Sequence, residues 1–380
     1  MSQHALLSVG SKAWRSLLCP RSELRLDLTL GCGQTFRWRE TGPDHWTGVM
    51  GGRVWTLTQT DHALWYYVYS RHGMKAEPSP TGQGLEGGAN RSVKTEEAGL
   101  DVKEEELLRD YFQLDVGLQD LYRDWSHRDR HFALVADVFS GVRMIRQDPV
   151  ECLFSFICSS NNHVSRIQAM VEKLCHTLGA RLTTLDQTHY HDFPTLHKLA
   201  DSSVEACLRL LGFGYRARFV QQSARLILDS HGPDWLMQLR RRPYPEVRGA
   251  LRALPGVGLK VADCVCLMSL DKAGAVPVDT HIWQIARRDY SFGAGSVRKS
   301  LTDRLYQEIG DFFRQLWGPN AGWAQSVLFC ADLKKFQHLK MAGRDGGDEA
   351  GGEEEGKSRK RRRVAAAGRK RDDAVKEEGE

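Results

Sequence analysis

The chain has 380 residues, enough for two or three packed units, and 41% of them are hydrophobic, an ordinary fraction for a globular protein. Its net charge of +5 is weak evidence for a polyanionic partner, and on composition alone an ordinary charged surface is the better explanation. No apolar stretch approaches the length of a membrane span, and the nine cysteines are odd in number and scattered. We therefore expect no membrane anchor, no disulfide framework and no metal held by cysteine.

The first segment, residues 1–21, lacks acidic residues up to position 20, carries Lys12 and Arg15, and interleaves serine with apolar residues. This composition resembles a weak mitochondrial presequence. A frayed N-terminus is the simpler explanation of these residues alone.

Residues 22–116 are expected to form an antiparallel β domain. The leucines at every second position from Leu24 to Leu30 alternate with polar neighbours, as in a half-buried strand. Further strand-like runs at 46–49, 54–60 and 63–69 are separated by short turns, which favours strands that pair with their sequence neighbours. Residues 71–104 break the pattern with Pro, Gly and Glu, and we expect a disordered surface insertion there.

Helical periodicity dominates residues 117–336. Asp148 and Pro149 are an N-cap and first-turn pair for one helix, which breaks at 159–162 before another helix runs to Gly179. The tail, 337–380, is rich in Gly, Glu and Lys/Arg without periodicity and is expected to be disordered. Its basic run at 357–363, KSRKRRR, predicts nuclear import. The alternative is a solvated block of charge that contacts DNA nonspecifically.

The strongest motif lies within residues 245–270, where two helical stretches flank Pro255-Gly256-Val257-Gly258. Glycines let a backbone turn sharply and let its N–H groups approach a phosphate, and the second helix directs its positive N-terminus to the same place. The segment predicts a helix–hairpin–helix in which Gly256, Val257 and Gly258 contact the DNA backbone. An ordinary corner between two helices is the alternative.

Lys260 falls in the first turn of the second, otherwise apolar helix. A cation there opposes the helix dipole, which favours the neutral, nucleophilic amine. A simple phosphate contact would explain Lys260 equally well if the residue stood alone. Asp279 follows in Val276-Pro277-Val278-Asp279, at a position suited to capping the next helix.

A hairpin with this lysine, followed by a Gly/Pro-bearing loop and an aspartate, resembles the helix–hairpin–helix glycosylases, and in particular the eukaryotic 8-oxoguanine DNA glycosylase/AP lyases. The resemblance covers about residues 20–335 apart from the insertion. It implies an α+β fold, with an N-terminal antiparallel β domain followed by mainly α-helical domains. It also implies excision of the damaged base, Schiff-base formation by Lys260, charge stabilisation by Asp279, and no metal or organic cofactor.

The resemblance further assigns residues that open the duplex and read the base left behind. Tyr215 is the wedge, Asn161 fills the vacated space, and Arg166 and Arg216 join it in reading the estranged cytosine. From the residues alone, the loop around Asn161 could be only a turn and helix cap, and the arginines only phosphate anchors. His163 stands where the family pattern has a third asparagine.

For the flipped base, the resemblance gives Phe329 a stacking role and Gln325 hydrogen bonds, with Cys264 lining the pocket. The i, i+4 spacing of Gln325 and Phe329 places them on one helix face. Gly33 matches the residue whose carbonyl separates 8-oxoguanine from guanine, and His281 is expected to contact a phosphate. From the residues alone, Phe329 and Cys264 could be core residues. Gly33 could be a turn glycine, and His281 could belong to a capped helix start.

We therefore expect a monomeric base-excision-repair enzyme that acts on double-stranded DNA containing oxidised guanine opposite cytosine. We expect it in the nucleus, with a second location in the mitochondrion if the N-terminal segment acts as a presequence. The tail is a candidate contact for other repair proteins. A glycosylase/lyase for another oxidised base and a noncatalytic helix–hairpin–helix DNA-binding protein are the alternatives.

Overall fold

The computed structural model describes residues 3–7, 13–69, 103–293 and 300–340. The chain divides into two units, Met1–Cys330 and Ala331–Glu380. The described part of the second unit contains the 3₁₀ turn Lys334–Phe336. The predicted insertion lies almost wholly outside the described residues, as do the basic run 357–363 and most of the predicted presequence. Within the described ranges no helix is long and apolar enough to cross a membrane.

The N-terminal part of the chain forms an antiparallel sheet, as predicted, and the sheet has five strands, of which the first two were not predicted. The strands are β1 (Arg15–Leu18), β2 (Trp38–Gly42), β3 (His45–Met50), β4 (Arg53–Gln59) and β5 (Ala63–Val68). Their order across the sheet is β1-β5-β4-β3-β2, so the last four strands form a simple meander. β1 lies within the segment 1–21 that the sequence sets apart, and its register pairs Arg15 with Tyr66.

The strand predicted at Leu24–Leu30 is wrong, because residues Leu26–Thr29 form a short helix, α1. The N–H groups that a strand would offer to a neighbour are used elsewhere. Arg25 N donates to Gly141 O at 2.8 Å, and Leu26 N donates to the Gln59 side chain at 2.6 Å. All four leucines are at most 4% exposed, so their alternation with polar residues reflects burial in an irregular segment.

Two apolar clusters cover the sheet. One combines residues of the sheet with helix and loop residues and contains Trp38, Trp55, Leu64, Phe112 and Ile145. The smaller cluster packs β3 and β4 against a separate two-stranded sheet through Val49, Val54, Leu185 and Tyr190. That second sheet, β6 (Arg181–Leu185) with β7 (Thr188–His191), was not predicted.

Helices make up most of the remainder, in agreement with the predicted α+β class. They are α2 (103–111), α3 (Leu118–Arg128), α4 (Arg130–Ala136), α5 (Pro149–Ile157), α6 (Val164–Leu178), α7 (Leu196–Ala200), α8 (Val204–Leu210), α9 (Arg216–Ser230), α10 (Trp235–Gln238), α11 (Tyr244–Arg252), α12 (Leu259–Ser269), α13 (Thr280–Asp289), α14 (Asp303–Trp317) and α15 (Ala321–Asp332). Short 3₁₀ turns follow α10 and α14, at Leu239–Arg241 and Gly318–Asn320. Helices α11 and α12 are the two arms of the predicted hairpin.

Buried polar contacts tie the sheet region to the segment that leads into α5. Arg143, 1% exposed, donates to a carboxylate oxygen of Glu23 at 2.6 Å and to the Val116 carbonyl at 2.8 Å. A buried charge is tolerated when it is paired and hydrogen-bonded, and both conditions are met here. The chain just before α1 is thereby held against the segment that leads into α5.

Candidate active site and DNA-reading surface

One cavity gathers residues from five separate parts of the chain. It is lined by Cys32, Gly33, Gln34, Phe156, Lys260, Cys264, Met268, Pro277, Asp279, Gln325, Ser326 and Phe329. Six of the predicted site residues, namely both proposed catalytic residues and the four base-pocket residues, therefore share a single lining. Among the described residues, no three His, Cys, Asp or Glu side chains are arranged to hold a metal ion.

Lys260 is placed by the hairpin. Gly258 caps α12, so Lys260 is the second residue of the helix and its side chain reaches into the cavity. Its Nζ donates to Ser159 Oγ at 3.2 Å and lies 5.1 Å from the centre of the Phe156 ring. Ser159 in turn donates to the Phe156 carbonyl at 2.7 Å, which fixes its oxygen as the acceptor for the amine. Neither Ser159 nor Phe156 was predicted from the sequence as a neighbour of Lys260.

Cys264 lies one helical turn after Lys260 and is 2% exposed. Burial raises the pKa of its thiol to about 11, against the opposing effect of the nearby Lys260 charge. At neutral pH the thiol is therefore protonated, so this wall of the cavity is uncharged and adds no anion to pair with the amine.

Asp279 has the predicted capping role and also lines the cavity. Its Oδ1 accepts a hydrogen bond from Ile282 N at 2.9 Å at the start of α13. The cap fixes the side-chain rotamer of Asp279 relative to the helix. The capping and catalytic explanations are compatible, since the capping carboxylate belongs to a residue that lines the cavity.

Gly33 has a backbone conformation that favours glycine, with φ of +84°. A Cβ at this position would also lie 3.2 Å from a methyl carbon of Val164. The adjacent Gln34 is 2% exposed; its side chain donates to Arg143 O at 2.9 Å and accepts from Ile145 N at 3.1 Å. Its own carbonyl accepts from Gln147 at 2.9 Å, so the loop that carries Gly33 is fixed on both sides.

Gln325 and Phe329 lie on α15, as their spacing predicts. Gln325 is 5% exposed, and Phe329 is partly buried with its ring 5.5 Å from that of His281 in an edge-to-face contact. The phosphate contact expected for His281 stays a prediction; the structure places its ring beside the cavity wall.

The turn of the hairpin is shaped by close packing. Gly256 has φ of +79°, and a Cβ there would lie 2.6 Å from the Phe219 ring. Ser223 donates to the Pro255 carbonyl at 2.9 Å, while Val257 is buried and Gly258 is exposed at the start of α12. The N-terminus of an eleven-residue helix is therefore presented next to a rigid turn, which suits an anion such as a DNA phosphate.

Three of the four residues predicted to open the base pair and read the cytosine meet at the turn between α5 and α6. Asn161 is exposed with φ of +48°, and Tyr215 is 48% exposed with its hydroxyl 3.3 Å from the Ser160 carbonyl. The buried Arg216 donates to the carbonyls of Ser160 and Asn161, each at 3.1 Å. Arg166 is exposed near the start of α6.

The turn and the cavity are close in the chain, because Ser159, which binds Lys260, directly precedes Ser160, which binds Arg216. The guanidinium of Arg216 also lies 4.5 Å from the centre of the Tyr215 ring. A side chain predicted to donate to a DNA base is thus bonded to protein carbonyls in this structure.

Two protein families match adjoining parts of the chain. Residues 16–153 match the family described as the 8-oxoguanine DNA glycosylase N-terminal domain, and residues 154–309 match the HhH-GPD superfamily of base excision DNA repair proteins. The N-glycosylase/DNA lyase OGG1 of Arabidopsis thaliana is 36% identical over 328 residues, covering 85% of this chain and 81% of the plant protein. The chain belongs to the 8-oxoguanine DNA glycosylase/DNA lyase family.

Two other family members extend the comparison. The N-glycosylase/DNA lyase of Saccharomyces cerevisiae is 39% identical over 249 residues, covering 60% of this chain and 66% of the yeast protein. The apo crystal structure of the Clostridium acetobutylicum 8-oxoguanine glycosylase/lyase superposes with a TM-score of 0.64 at 25% identity, covering 81% of this chain and 93% of the bacterial one. Lys260 and Asp279 fall within the superfamily match and Gly33 within the N-terminal match, whereas Gln325 and Phe329 lie beyond both.

Proposed function

We propose that this glycosylase/lyase flips 8-oxoguanine paired with cytosine out of duplex DNA, excises it, and then cleaves the strand by β-elimination through a Schiff base on Lys260. The observation that carries the proposal is the shared cavity, in which Lys260 and Asp279 stand with Gly33, Gln325 and Phe329. An amine, a carboxylate and a polar and aromatic lining are the groups that this reaction requires.

Excision begins with loss of the base. The bond between the base and C1′ breaks with its electron pair on the base, and positive charge develops on the sugar, as in glycoside hydrolysis. A carboxylate fixed nearby stabilises that charge without reorganising during the reaction. Asp279 suits this role because its capping bond to Ile282 N holds the carboxylate in one orientation at the cavity wall.

Lys260 then supplies the nucleophile. Its neutral amine bonds to the C1′ cation and passes one proton to the ring oxygen O4′ as the C1′–O4′ bond breaks, leaving a protonated imine between Nζ and C1′. The imine acidifies the C2′ protons, and removal of one of them expels the 3′ phosphate with its electron pair. Ser159 Oγ and the Phe156 ring hold Nζ within the cavity before the reaction.

Lesion recognition rests on the change at N7 of guanine, which accepts a hydrogen bond in the normal base and carries a proton in 8-oxoguanine. A carbonyl at Gly33 accepts from the lesion and is unpaired or repulsive toward guanine, a difference of about 1–3 kcal/mol. Gln325 is assigned to the Watson–Crick edge of the flipped base and Phe329 to its face. The fixed loop around Gly33 supports this assignment, since a mobile carbonyl would discriminate less.

On the opposite strand, we assign Tyr215 as the wedge and Asn161, Arg166 and Arg216 as readers of the estranged cytosine. The hairpin residues 256–258 and His281 are assigned to the DNA backbone. The proposed partner is therefore double-stranded DNA, bound by a monomer. Nuclear import through 357–363, a second location in the mitochondrion and recruitment of repair proteins by the tail complete the proposal.

A panel of duplexes tests the substrate. Single-turnover excision is measured on 8-oxoguanine opposite each of the four bases, on guanine opposite cytosine, and on duplexes with a formamidopyrimidine or an oxidised pyrimidine. The proposal expects the fastest excision for 8-oxoguanine opposite cytosine. Faster excision of another lesion would keep the lyase chemistry but overturn the substrate, and binding without excision of any lesion would favour a noncatalytic protein.

A further inference from the structure

Asp263 is a buried carboxylate on the helix that carries Lys260, three residues further along. It is 1% exposed and accepts hydrogen bonds from two tyrosines, from Tyr244 at 2.7 Å on Oδ1 and from Tyr306 at 2.6 Å on Oδ2. Arg248 Nε lies 3.1 Å from Oδ1 as an ion-pair partner without hydrogen-bond geometry. Each carboxylate oxygen therefore has a donor, as a buried charge requires.

Tyr306, 4% exposed on α14, connects this carboxylate to the segment that ends at Asp279. Its hydroxyl oxygen accepts a hydrogen bond from Val278 N at 3.2 Å. Burial and the Asp263 charge raise the pKa of Tyr306 well above its ordinary value, so the hydroxyl keeps its proton at neutral pH. That single proton goes to Asp263 at 2.6 Å rather than to the Val276 carbonyl at 3.5 Å, because the shorter, charge-assisted bond is stronger.

The result is a continuous chain of hydrogen bonds from the Val278 N–H to the Tyr306 hydroxyl and on to the Asp263 carboxylate. Val278 directly precedes Asp279, and Asp263 lies one helical turn beyond Lys260. The backbone of residues 275–279 has no regular secondary structure. At its far end the segment is fixed by the Asp279 cap on α13, and at Val278 it is fixed by Tyr306.

We propose that Tyr306 is a positioning residue for base excision, which holds the backbone at Val278 against α12 through Asp263 and so sets the Asp279 carboxylate relative to Lys260 Nζ. This inference rests on the proposed roles of Asp279 and Lys260. Neither Tyr306 nor Asp263 lines the cavity, so their effect on the reaction passes through the residues they hold.

Tyr244 provides a matched control within the same network. It also donates a hydroxyl proton to Asp263, through the other carboxylate oxygen and from α11 on the hairpin side. Tyr306→Phe and Tyr244→Phe each remove one oxygen atom and one hydrogen bond to Asp263. Only Tyr306→Phe also removes the acceptor for Val278 N–H.

The experiment measures single-turnover excision of 8-oxoguanine opposite cytosine, the Kd for the same duplex and the melting temperature, for wild type and both variants. Because displacement of a reacting group by about 1 Å costs on the order of 100-fold in rate, we expect Tyr306→Phe to slow excision roughly 10- to 100-fold. We expect the Kd to change less than about threefold. Tyr244→Phe should keep excision within about threefold of wild type, because Tyr306 and Arg248 still face the Asp263 carboxylate and Val278 N–H keeps its acceptor.

A double-mutant comparison separates positioning from general destabilisation. If Tyr306 acts only through Asp279, then Tyr306→Phe should cause no further loss of excision in an Asp279→Asn background. Equal losses in Tyr306→Phe and Tyr244→Phe that follow the fall in melting temperature would overturn the inference, as would a full additional loss in the double variant.

The same data distinguish the inference from the proposed function. If Asp279→Asn excises as fast as wild type, the proposed role of Asp279 fails and the inference fails with it. If Asp279→Asn is slow while Tyr306→Phe matches wild type, the inference alone is wrong.

Discussion

In the proposed function two adjacent regions bind the two members of the damaged base pair, and they are built differently. Around the cavity, internal bonds hold the groups that would contact the flipped nucleotide: Ser159 holds Lys260, and Gln34 fixes the loop that carries Gly33. At the turn before α6, Asn161 is exposed in a left-handed conformation. There the Arg216 guanidinium is bonded to the carbonyls of residues 160 and 161.

This contrast predicts which step of the reaction depends on each region. A cavity whose polar groups are already fixed needs little reorganisation, so changes there should act on the rate of excision. A guanidinium has five N–H donors, and those on Nε and one Nη atom of Arg216 bond carbonyls of the turn, so the turn sets the position from which the guanidinium would read cytosine. Changes at the turn should therefore act on binding and on opposite-base preference.

The largest effect is expected for Asp279→Asn. Asparagine is as good an N-cap as aspartate, so α13 should stay capped while the charge that stabilises the sugar is lost. We expect single-turnover excision to fall about 100- to 1,000-fold, the usual cost of removing one preorganised electrostatic group. Asp148→Asn, which changes the cap of α5 in the same way, should stay within about threefold of wild type; a comparable loss there would assign both effects to capping.

Arg216→Lys tests the turn. A lysine cannot reproduce the forked bonds to the two carbonyls or a forked contact to cytosine. We expect the Kd for 8-oxoguanine opposite cytosine to rise about tenfold and the preference for cytosine over adenine to shrink by a similar factor. Excision from the bound complex should change little, and the exposed Arg218→Lys on the same helix serves as control. A loss confined to the excision rate would contradict the division between the two regions.

Gly33→Ala tests the fixed carbonyl. Alanine at φ of +84° is strained by about 1 kcal/mol or more, and its Cβ would press on Val164, so the loop should shift. We expect the ratio of excision rates for 8-oxoguanine and guanine to fall about tenfold, in line with one mismatched polar contact. The control is Gly52→Ala in the β3–β4 turn, where φ is +69° and the nearest atom is 3.5 Å away. If both variants lose stability but keep the ratio, Gly33 is only a turn residue.

Ser159→Ala removes the acceptor that holds Lys260 Nζ in the cavity. Since one hydrogen bond contributes about 1 kcal/mol, we expect the rate of Schiff-base formation on a preformed abasic site to fall about fivefold. Ser269→Ala removes a buried hydroxyl that donates to the Val265 carbonyl of the same helix and does not line the cavity, so it should leave this rate unchanged. Equal effects of the two substitutions would show that packing, and not the position of Nζ, is responsible.

The smallest effect concerns how the stability of the protein depends on pH, through Glu151 on α5, the helix that contributes Phe156 to the cavity. Burial raises the pKa of Glu151 to about 7, although the Arg37 charge opposes this rise. The folded chain therefore binds this proton more tightly than the unfolded chain, so the stability it contributes is present at low pH and is lost as pH rises toward 7. We expect Glu151→Gln to raise the melting temperature relative to wild type more at pH 8 than at pH 5. An equal change at both values would contradict the raised pKa.

Much of the site could be predicted because it is local in sequence. The hairpin glycines, the i, i+4 spacing of Gln325 and Phe329, and the cap at Asp279 each depend on residues within a few positions of one another. The structure contains each of these features where the sequence predicts it. The common lining of the cavity followed from the family resemblance and not from the spacing.

What the sequence did not reveal depends on contacts between distant segments. Ser159 meets Lys260 across 101 positions and Tyr306 meets Asp263 across 43, and neither contact has a periodic signal. The strand predicted from the alternating leucines at Leu24–Leu30 is wrong for the same reason. The backbone there is hydrogen-bonded to distant partners, Gly141 and Gln59. The short β6–β7 hairpin likewise packs against β3 and β4, which are distant in the sequence.

The most direct test of the central claim is borohydride trapping on a duplex that contains 8-oxoguanine opposite cytosine. Borohydride reduces a protein–DNA imine to a stable amine, which survives on a denaturing gel. We predict a covalent adduct for wild type and none for Lys260→Gln, with the duplex still bound by the variant. Wild type that excises the base but never traps, or an adduct that persists in Lys260→Gln, would contradict the assignment of Lys260 as the Schiff-base nucleophile.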